Sequence, residues 1–282
     1  MELIFDKRNR AKIGNFTILK KSENVFHIND GTPSFVTLIK GKKQALLVDT
    51  SWGLQDLRGL VEQLVSTPYI VVNTHGHPDH CYGNYQFDEV LVPERDIEVY
   101  KRIKDYESSR EEFITTEEQK ILFKAENFPP LKTVRAGDKF DLGGITVEAV
   151  ALYSHTLGSL GYFVKEEKLL LGGDALNSNV WLFMEESCSL LDCLKTYENL
   201  KLLPFEKILG SHGKVFWSKD LLDALILNLK KVIAQNYIFT DENYEKIMGY
   251  HTSRSFSEYN SACGWIVVPD RRYDCSVKEK TF

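Results

Sequence analysis

Nothing in this chain reads as a disulfide framework. Its five cysteines (Cys81, Cys188, Cys193, Cys263 and Cys275) are odd in number, scattered, and never spaced as a CxxC pair. That is the pattern of reduced thiols rather than cross-links. No uninterrupted apolar run approaches the roughly 18 residues that a membrane helix needs. The opening MELIFDKRNRAK has none of the long apolar stretch of a secretory signal. A cytoplasmic protein with no membrane partner is the expectation. Excess positive charge is missing too: 35 Lys and Arg against 40 Asp and Glu leave a formal charge of −5. This excludes a nucleic-acid partner gripped by bulk charge. There is no low-complexity linker and no long internal repeat. With 43% hydrophobic residues over 282 positions, the chain has the material for one large core or a core with an appendage.

What is present falls into short apolar segments. NFTILKKS, VFHIN, SFVTLIKG and QALLVDT read as strands punctuated by Gly, Asn, Asp and Pro. LQDLRGLVEQLVS carries apolar residues at helical spacing, and the apolar strand YIVVN completes a βαβ unit. Residues 94–127 are highly charged and helical in pattern. A solvated helix pair is the plain reading, and a lid over a pocket is the expectation, because the segment lies just downstream of a histidine cluster. KTVRAGDKFDLGGITVEAVALY and GYFVKEEKLLLGG read as hairpins, CSLLDCLKTYENLKLL as a helix, and EKILG as a short strand. The expected organisation is a catalytic body over 1–218, with the helical insertion near 94–127, and a helical C-terminal extension over 219–282.

Three of the seven histidines crowd into NTHGHPDHCYGN, residues 73–84, directly after YIVV. Buried without partners they would be costly. The remaining pieces repeat one arrangement: His155 follows VALY, Asp174 follows KLLLGG, and His212 follows KILG. Four strands therefore each deliver a metal-capable side chain at their C-terminal end, the edge at which α/β sheets bind ligands. His75 and His77, two apart in extended chain, point the same way. Pro78 suits the start of a helix that turns Asp79 and His80 toward a neighbouring point. One ion could be held by the first pair and a second by the latter pair, with His155 and His212 completing the sets and Asp174 able to bridge them. Five histidines and two carboxylates favour Zn²⁺ over Mg²⁺ or Ca²⁺, with iron and manganese chemically open.

THGHPDH followed by SHTLGS, GGD and GSHG resembles the metallo-β-lactamase superfamily, in its binuclear hydrolase branch, over roughly residues 15–217. The resemblance implies an α/β fold, a four-layer αββα sandwich with metals at the rim between two sheets. It implies that His75, His77 and His155 hold the first of two zinc ions. Asp79, His80 and His212 would hold the second, and Asp174 would bridge. Asp49, ending LLVDT, matches the family's strand-end aspartate, which orients a ligand. A bridging aspartate is typical of the family's thioesterases, lactonases and phosphodiesterases and absent from its true β-lactamases. Flavodiiron members carry a glutamate at the position of His77, and nothing here matches the tRNA-processing members strongly.

The expected activity is hydrolysis of an ester, thioester or lactone bond in a small-molecule substrate. A metal-bridging hydroxide would attack the carbonyl carbon, and Asp79 would orient it or pass on its proton. Two alternatives stand beside it: a phosphodiesterase on the same site, and a persulfide-dioxygenase-like iron enzyme using the positions of His75, His155 and Asp174. A non-catalytic metal module would predict no turnover at all. The lactonase branch often places a tyrosine shortly after the bridging aspartate, where this chain has DALNSN with Asn177. Cys81 is expected to pack, and His27 and His251 to be ordinary polar residues. Of the aromatics Trp181, Phe183, Phe216 and Trp217, with Met184, most should be core and one or two could line a pocket.

Overall fold

The computed structural model describes residues 3–102, 128–182, 184–235 and 265–267. The first sheet is built in sequence order from β1 (Arg10–Ile13), β2 (Phe16–Lys20), β3 (Val25–Asn29), β4 (Val36–Lys40), β5 (Ala45–Val48), β6 (Tyr69–Val72), β7 (Val90–Pro93) and β8 (Leu131–Val134). It is antiparallel as far as β5 and parallel from β5 to β8. Helix α1 (Leu57–Leu64) crosses from β5 to β6 as the expected βαβ unit. Asp56 caps it by accepting from Gly59 N at 2.8 Å. Leu57, Leu60, Val61 and Leu64 form its buried stripe. Two shorter helices, α2 (Pro78–Cys81) and α3 (Ile97–Lys101), follow β6 and β7.

The second sheet holds β9 (Lys139–Asp141), β10 (Thr146–Ala151), β11 (Leu160–Val164), β12 (Leu169–Gly173), β14 (Lys207–Gly210) and β15 (Trp217–Ser218), in the order β15-β14-β12-β11-β10-β9. The two expected hairpins are β9–β10 and β11–β12, and β12 runs parallel to β14. A separate strand, β13 (Asn179–Trp181), pairs in parallel with β16 (Trp265–Val267). Helices α4 (Leu190–Leu200) and α5 (Asp220–Gln235) complete the elements.

Side-chain alternation places these pieces in four layers. Along β5, Ala45 and Leu47 pack outward against α1, while Leu46 and Val48 point inward against Val147, Ala149 and Leu171 of the second sheet. Along β12, Leu170 faces the α4–α5 layer, and Leu169 and Leu171 face the first sheet. Both faces of the central strands are covered, which is why QALLV and KLLL read as continuous apolar runs. Truncating a leucine in such a core costs about 2–5 kcal/mol, so the frame that carries the rim loops is stiff. The order helix, sheet, sheet, helix is the expected αββα sandwich.

Two segments sit differently from expectation. Residues 94–101 open the charged stretch foreseen as an insertion, yet Asp96, Val99 and Tyr100 are buried. Their acidic and basic neighbours point outward, so this part belongs to the body beneath the histidine loops; residues 103–127 lie outside the described residues. Helix α5, foreseen as the start of an extension, packs Leu221, Leu222, Leu225 and Leu229 into the same cluster as α4. It is part of the outer layer of the sandwich. Cys81, Cys188 and Cys193 are buried, while Cys263, Cys275 and His251 lie outside the described residues. Among the described residues, no helix is long and apolar enough to cross a membrane.

Candidate metal centre

One edge of the sandwich collects the C-terminal ends of β5, β6, β10, β12 and β14, and each is followed by a polar side chain: Asp49, His75, His155, Asp174 and His212. The turn after β6 is tight against its surroundings. A Cβ at Gly76 would meet Tyr100 N and the Val99 side chain at 2.9 Å, so only glycine fits between His75 and His77. His77 occupies the N-cap of α2 with Pro78 at its first turn, and the helix swings Asp79 and His80 onto the other side of the cluster. Gly173, at φ +54°, lets β12 end against Thr74.

The residues foreseen as ligands converge as two groups, His75, His77 and His155 on one side, and Asp79, His80, Asp174 and His212 on the other. In the first group, His77 Nδ1 stands 3.0 Å from His75 Nε2 and 2.9 Å from His155 Nε2. The outer nitrogens fix where the protons are. His155 Nδ1 meets the carbonyl of Trp181 at 2.9 Å, and His77 Nε2 meets the Glu186 carboxylate at 2.7 Å; both partners only accept. Thr74 Oγ1 donates to Asp49 at 2.8 Å, so it accepts from His75 Nδ1 at 3.0 Å. Each ring thus carries its proton outward. Burial pushes His155 down to about 4 and His75 well below the ordinary imidazole value, reinforced by their neighbouring histidines. Three inward lone pairs at this spacing repel one another unless a cation lies among them, and they fit a divalent metal.

The second group carries the negative charge. Asp79 Oδ2 lies 3.3 Å from His80 Nε2 and 3.2 Å from His212 Nε2. Asp174 reaches both groups, with Oδ1 at 3.5 Å from His80 Nε2 and Oδ2 at 3.1 Å from His212 and 3.7 Å from His155. Both His80 Nε2 and Asp174 Oδ1 are buried without a hydrogen-bond partner. Orphaned polar atoms of this kind are rare in proteins, and a shared metal satisfies both. Burial opposes charge on His80, but Asp79, Asp174 and Asp49 outweigh it and hold the imidazole well above its ordinary value. His212, likewise partly shielded, is raised to about 10 by Asp174 and Asp79.

These shifts predict different pH behaviour for the two groups in metal-free protein. His155, held at about 4, and His75, held well below the ordinary imidazole value, are neutral through the neutral range. His80 and His212 hold protons through neutrality, so loading the second group must expel them. Its affinity should rise with pH, up to about tenfold per unit for each proton released, while that of the first stays nearly flat between pH 6 and 8. Calorimetry in buffers of different ionisation enthalpy would count the protons; equal release at both groups would contradict the assignment.

Behind the foreseen residues stand others that sequence reading missed. Asp49, foreseen as an orienting residue, contacts both groups: it holds His80 Nδ1 at 3.0 Å and, through Thr74, His75. It does so from a positive φ of 66°, an unusual backbone for a non-glycine residue. Asp96 was not foreseen. Its buried carboxylate accepts from Gly76 N at 3.0 Å, Gly158 N at 2.7 Å and Thr156 Oγ1 at 2.6 Å. It therefore ties the His75–His77 turn to the His155 loop. Glu186 was also not foreseen. It holds His77 through Oε1 and receives Arg102 on Oε2 at 3.2 Å.

The bland assignments divide. Cys81 is fully buried, its thiol directed at His77 O. His27 is more than an ordinary polar residue. It is a core histidine stacked on Phe35 and meeting Thr37 Oγ1 and Gly213 O at 2.9 Å each, and it braces the turn after His212 from below. Trp217 packs on the outer core, Phe216 is exposed, and Phe183 lies outside the described residues.

Lone-pair donors held at the mouth of a two-sheet sandwich, with a carboxylate between them, equip a protein to polarise a bond and split it with water. The protein is a metal-dependent hydrolase. It belongs to the metallo-beta-lactamase superfamily, whose family model matches residues 29–212. Among curated relatives it is similar to the acyl-coenzyme A thioesterase MBLAC2 of Homo sapiens, with 26% identity over 231 residues covering 74% of this chain and 80% of that protein. The protein of the same name from Gallus gallus is 27% identical over 214 residues, covering 68% and 76%. Among solved structures, DIM-1 metallo-beta-lactamase superposes with a TM-score of 0.57 at 19% identity, covering 78% of this chain and 100% of that one. A metallo-beta-lactamase from Pontibacter korlensis gives 0.54 at 20% identity, covering 76% and 99%. At these identities the solved structures speak for the fold alone.

Proposed function

We propose that this chain is a thioesterase that hydrolyses acyl-coenzyme A with two zinc ions at the rim. The observation that carries the metal half is the set of inward lone pairs on His75, His77 and His155, with Asp174 reaching across to the second group. The substrate half rests on the MBLAC2 relatives, which span most of the chain. In this reading His75, His77 and His155 hold the first ion, Asp79, His80 and His212 the second, and Asp174 both. Bound zinc supplies a polarised acyl carbonyl and a water of lowered pKa. Asp79 meets both histidines of its group through Oδ2, which leaves Oδ1 to take up the proton released in hydrolysis. Glu186 and Asp49 keep the imidazoles of His77 and His80 from turning, and Asp96 ties their loop to that of His155. A cytoplasmic location and a catalytic body that includes α5 are parts of the same proposal.

The test is a turnover panel on zinc-loaded protein with acyl-coenzyme A thioesters, lactones, phosphodiesters and persulfides. Two zinc ions per chain and thioester cleavage lost on chelation are expected. Cleavage confined to phosphodiesters, or a single iron with persulfide oxidation, would replace this reading with one of its alternatives.

A further inference from the structure

The centre opens on one side. His212 has the most exposed side chain of the seven, 31% against 21% for Asp79 and 16% for Asp174, so a substrate enters past it. The chain that continues from His212 borders this entrance and carries Lys214, Val215 and Phe216 outward, with Val215 57% exposed. Two further lysines lie against the Phe216 ring, with Lys207 at the start of β14, the end of that strand away from the metals. Lys21 donates to the carbonyl of Lys214 and stands over the Phe216 ring at 5.1 Å, and Lys207 stands 5.6 Å from that ring.

No carboxylate among the described residues pairs with Lys21, Lys207 or Lys214. The acids nearby have closer partners: Glu23 pairs with Lys20 at 2.7 Å, Glu167 with the Ser22 hydroxyl at 2.5 Å, and Glu206 with Lys168 at 2.5 Å while also feeling the charge of Lys207. Two lysines against one exposed ring, with Lys214 on the adjoining loop, stand out in a chain whose formal charge is −5. The centre itself presents Asp79 and Asp174, so an anionic substrate needs cations placed away from the reacting bond.

We propose that Lys21, Lys207 and Lys214 form a subsite for the phosphate groups of coenzyme A, reached from the metal centre along the loop after His212. The proposal rests on the thioesterase reading for its ligand but not for its test. Lys207 and His212 are five residues apart along the chain, at most roughly 17 Å when extended. The pantetheine arm between the thioester sulfur and the pyrophosphate is of comparable extended length. The phosphates of an acyl-coenzyme A with its thioester at Asp174 are therefore within reach of this patch, where ammonium groups would form charge-assisted hydrogen bonds with them.

The double variant Lys207→Glu/Lys214→Glu tests this, since both side chains are exposed and neither belongs to the metal centre; circular dichroism and zinc content confirm that the body is intact. Coenzyme A binding, measured by calorimetry on the zinc-loaded protein, should weaken roughly tenfold or more, with pantetheine binding unchanged. KM for an acyl-coenzyme A should rise by a similar factor, while the same acyl group on pantetheine shows no change. Coenzyme A binding equal in both proteins, absent from both, or weakened together with pantetheine would overturn the subsite. Lysine-dependent coenzyme A binding without any thioester turnover would uphold the subsite and remove the thioesterase reading. Thioester turnover with an unchanged KM in the variant would do the reverse.

Discussion

Asp174→Ala is expected to lower hydrolysis about 1,000-fold or more, with the sandwich still folded. Asp174 brings a carboxylate to histidines of both groups, at 3.1 Å from His212, 3.5 Å from His80 and 3.7 Å from His155. Burial opposes its ionisation, but His212 and His80 outweigh the burial and hold its carboxyl well below the usual carboxylate range. Alanine removes this negative charge from between the groups and deletes an acceptor from each. The body should tolerate the loss, because Asp174 lies past the end of β12 and outside all the apolar clusters. A melting temperature of the metal-free variant within a few degrees of the parent, alongside lost zinc and lost turnover, is the expected pair of results. Asp174→Asn keeps the shape and loses the charge; it should fall almost as far if the carboxylate is a ligand. Near-parental kcat/KM in either variant would take Asp174 out of the centre.

The converging residues were legible because several obey a local rule: a largely apolar strand, then a polar residue past its end. His75, Asp174 and His212 could be picked out this way without knowing which strands are neighbours. Their supports could not. Asp96 lies in ERDIEVY, where four of the seven residues are charged, and its partners Gly76, Thr156 and Gly158 are brought to it only by folding. Glu186 follows Glu185, and nothing in the chain distinguishes the two. In the fold, the side chain of Glu185 is 89% exposed and that of Glu186 is 7%. His27 shows the same limit from the other side, since its role depends on Gly213, which reaches it from a different sheet. Local pattern reveals which residues reach the rim, and long-range packing decides what holds them there.

Glu186 should therefore repay substitution. His77 is the one histidine of the first group that faces inward through Nδ1, and its outward Nε2 meets Glu186 Oε1 at 2.7 Å. Burial disfavours charge on Glu186, but the His77 hydrogen bond and nearby charge prevail and bring it to about 2, so it is an anion throughout the neutral range. An anion there fixes the proton on Nε2 and makes Nδ1 a better donor to metal. Glu186→Gln keeps an acceptor and loses the charge; zinc affinity of the first group is expected to fall about 10–100-fold. Arg102→Gln works in the opposite sense. Arg102 meets the other carboxylate oxygen, Oε2, at 3.2 Å, so its removal leaves the His77 contact in place and the anion less neutralised. Zinc affinity should then hold or rise. Competition with a chromophoric chelator reads both affinities, and long-range ¹⁵N–¹H correlation in metal-free protein reads the His77 tautomer directly. Equal weakening by the two substitutions, with the tautomer unmoved, would reduce Glu186 and Arg102 to a structural brace.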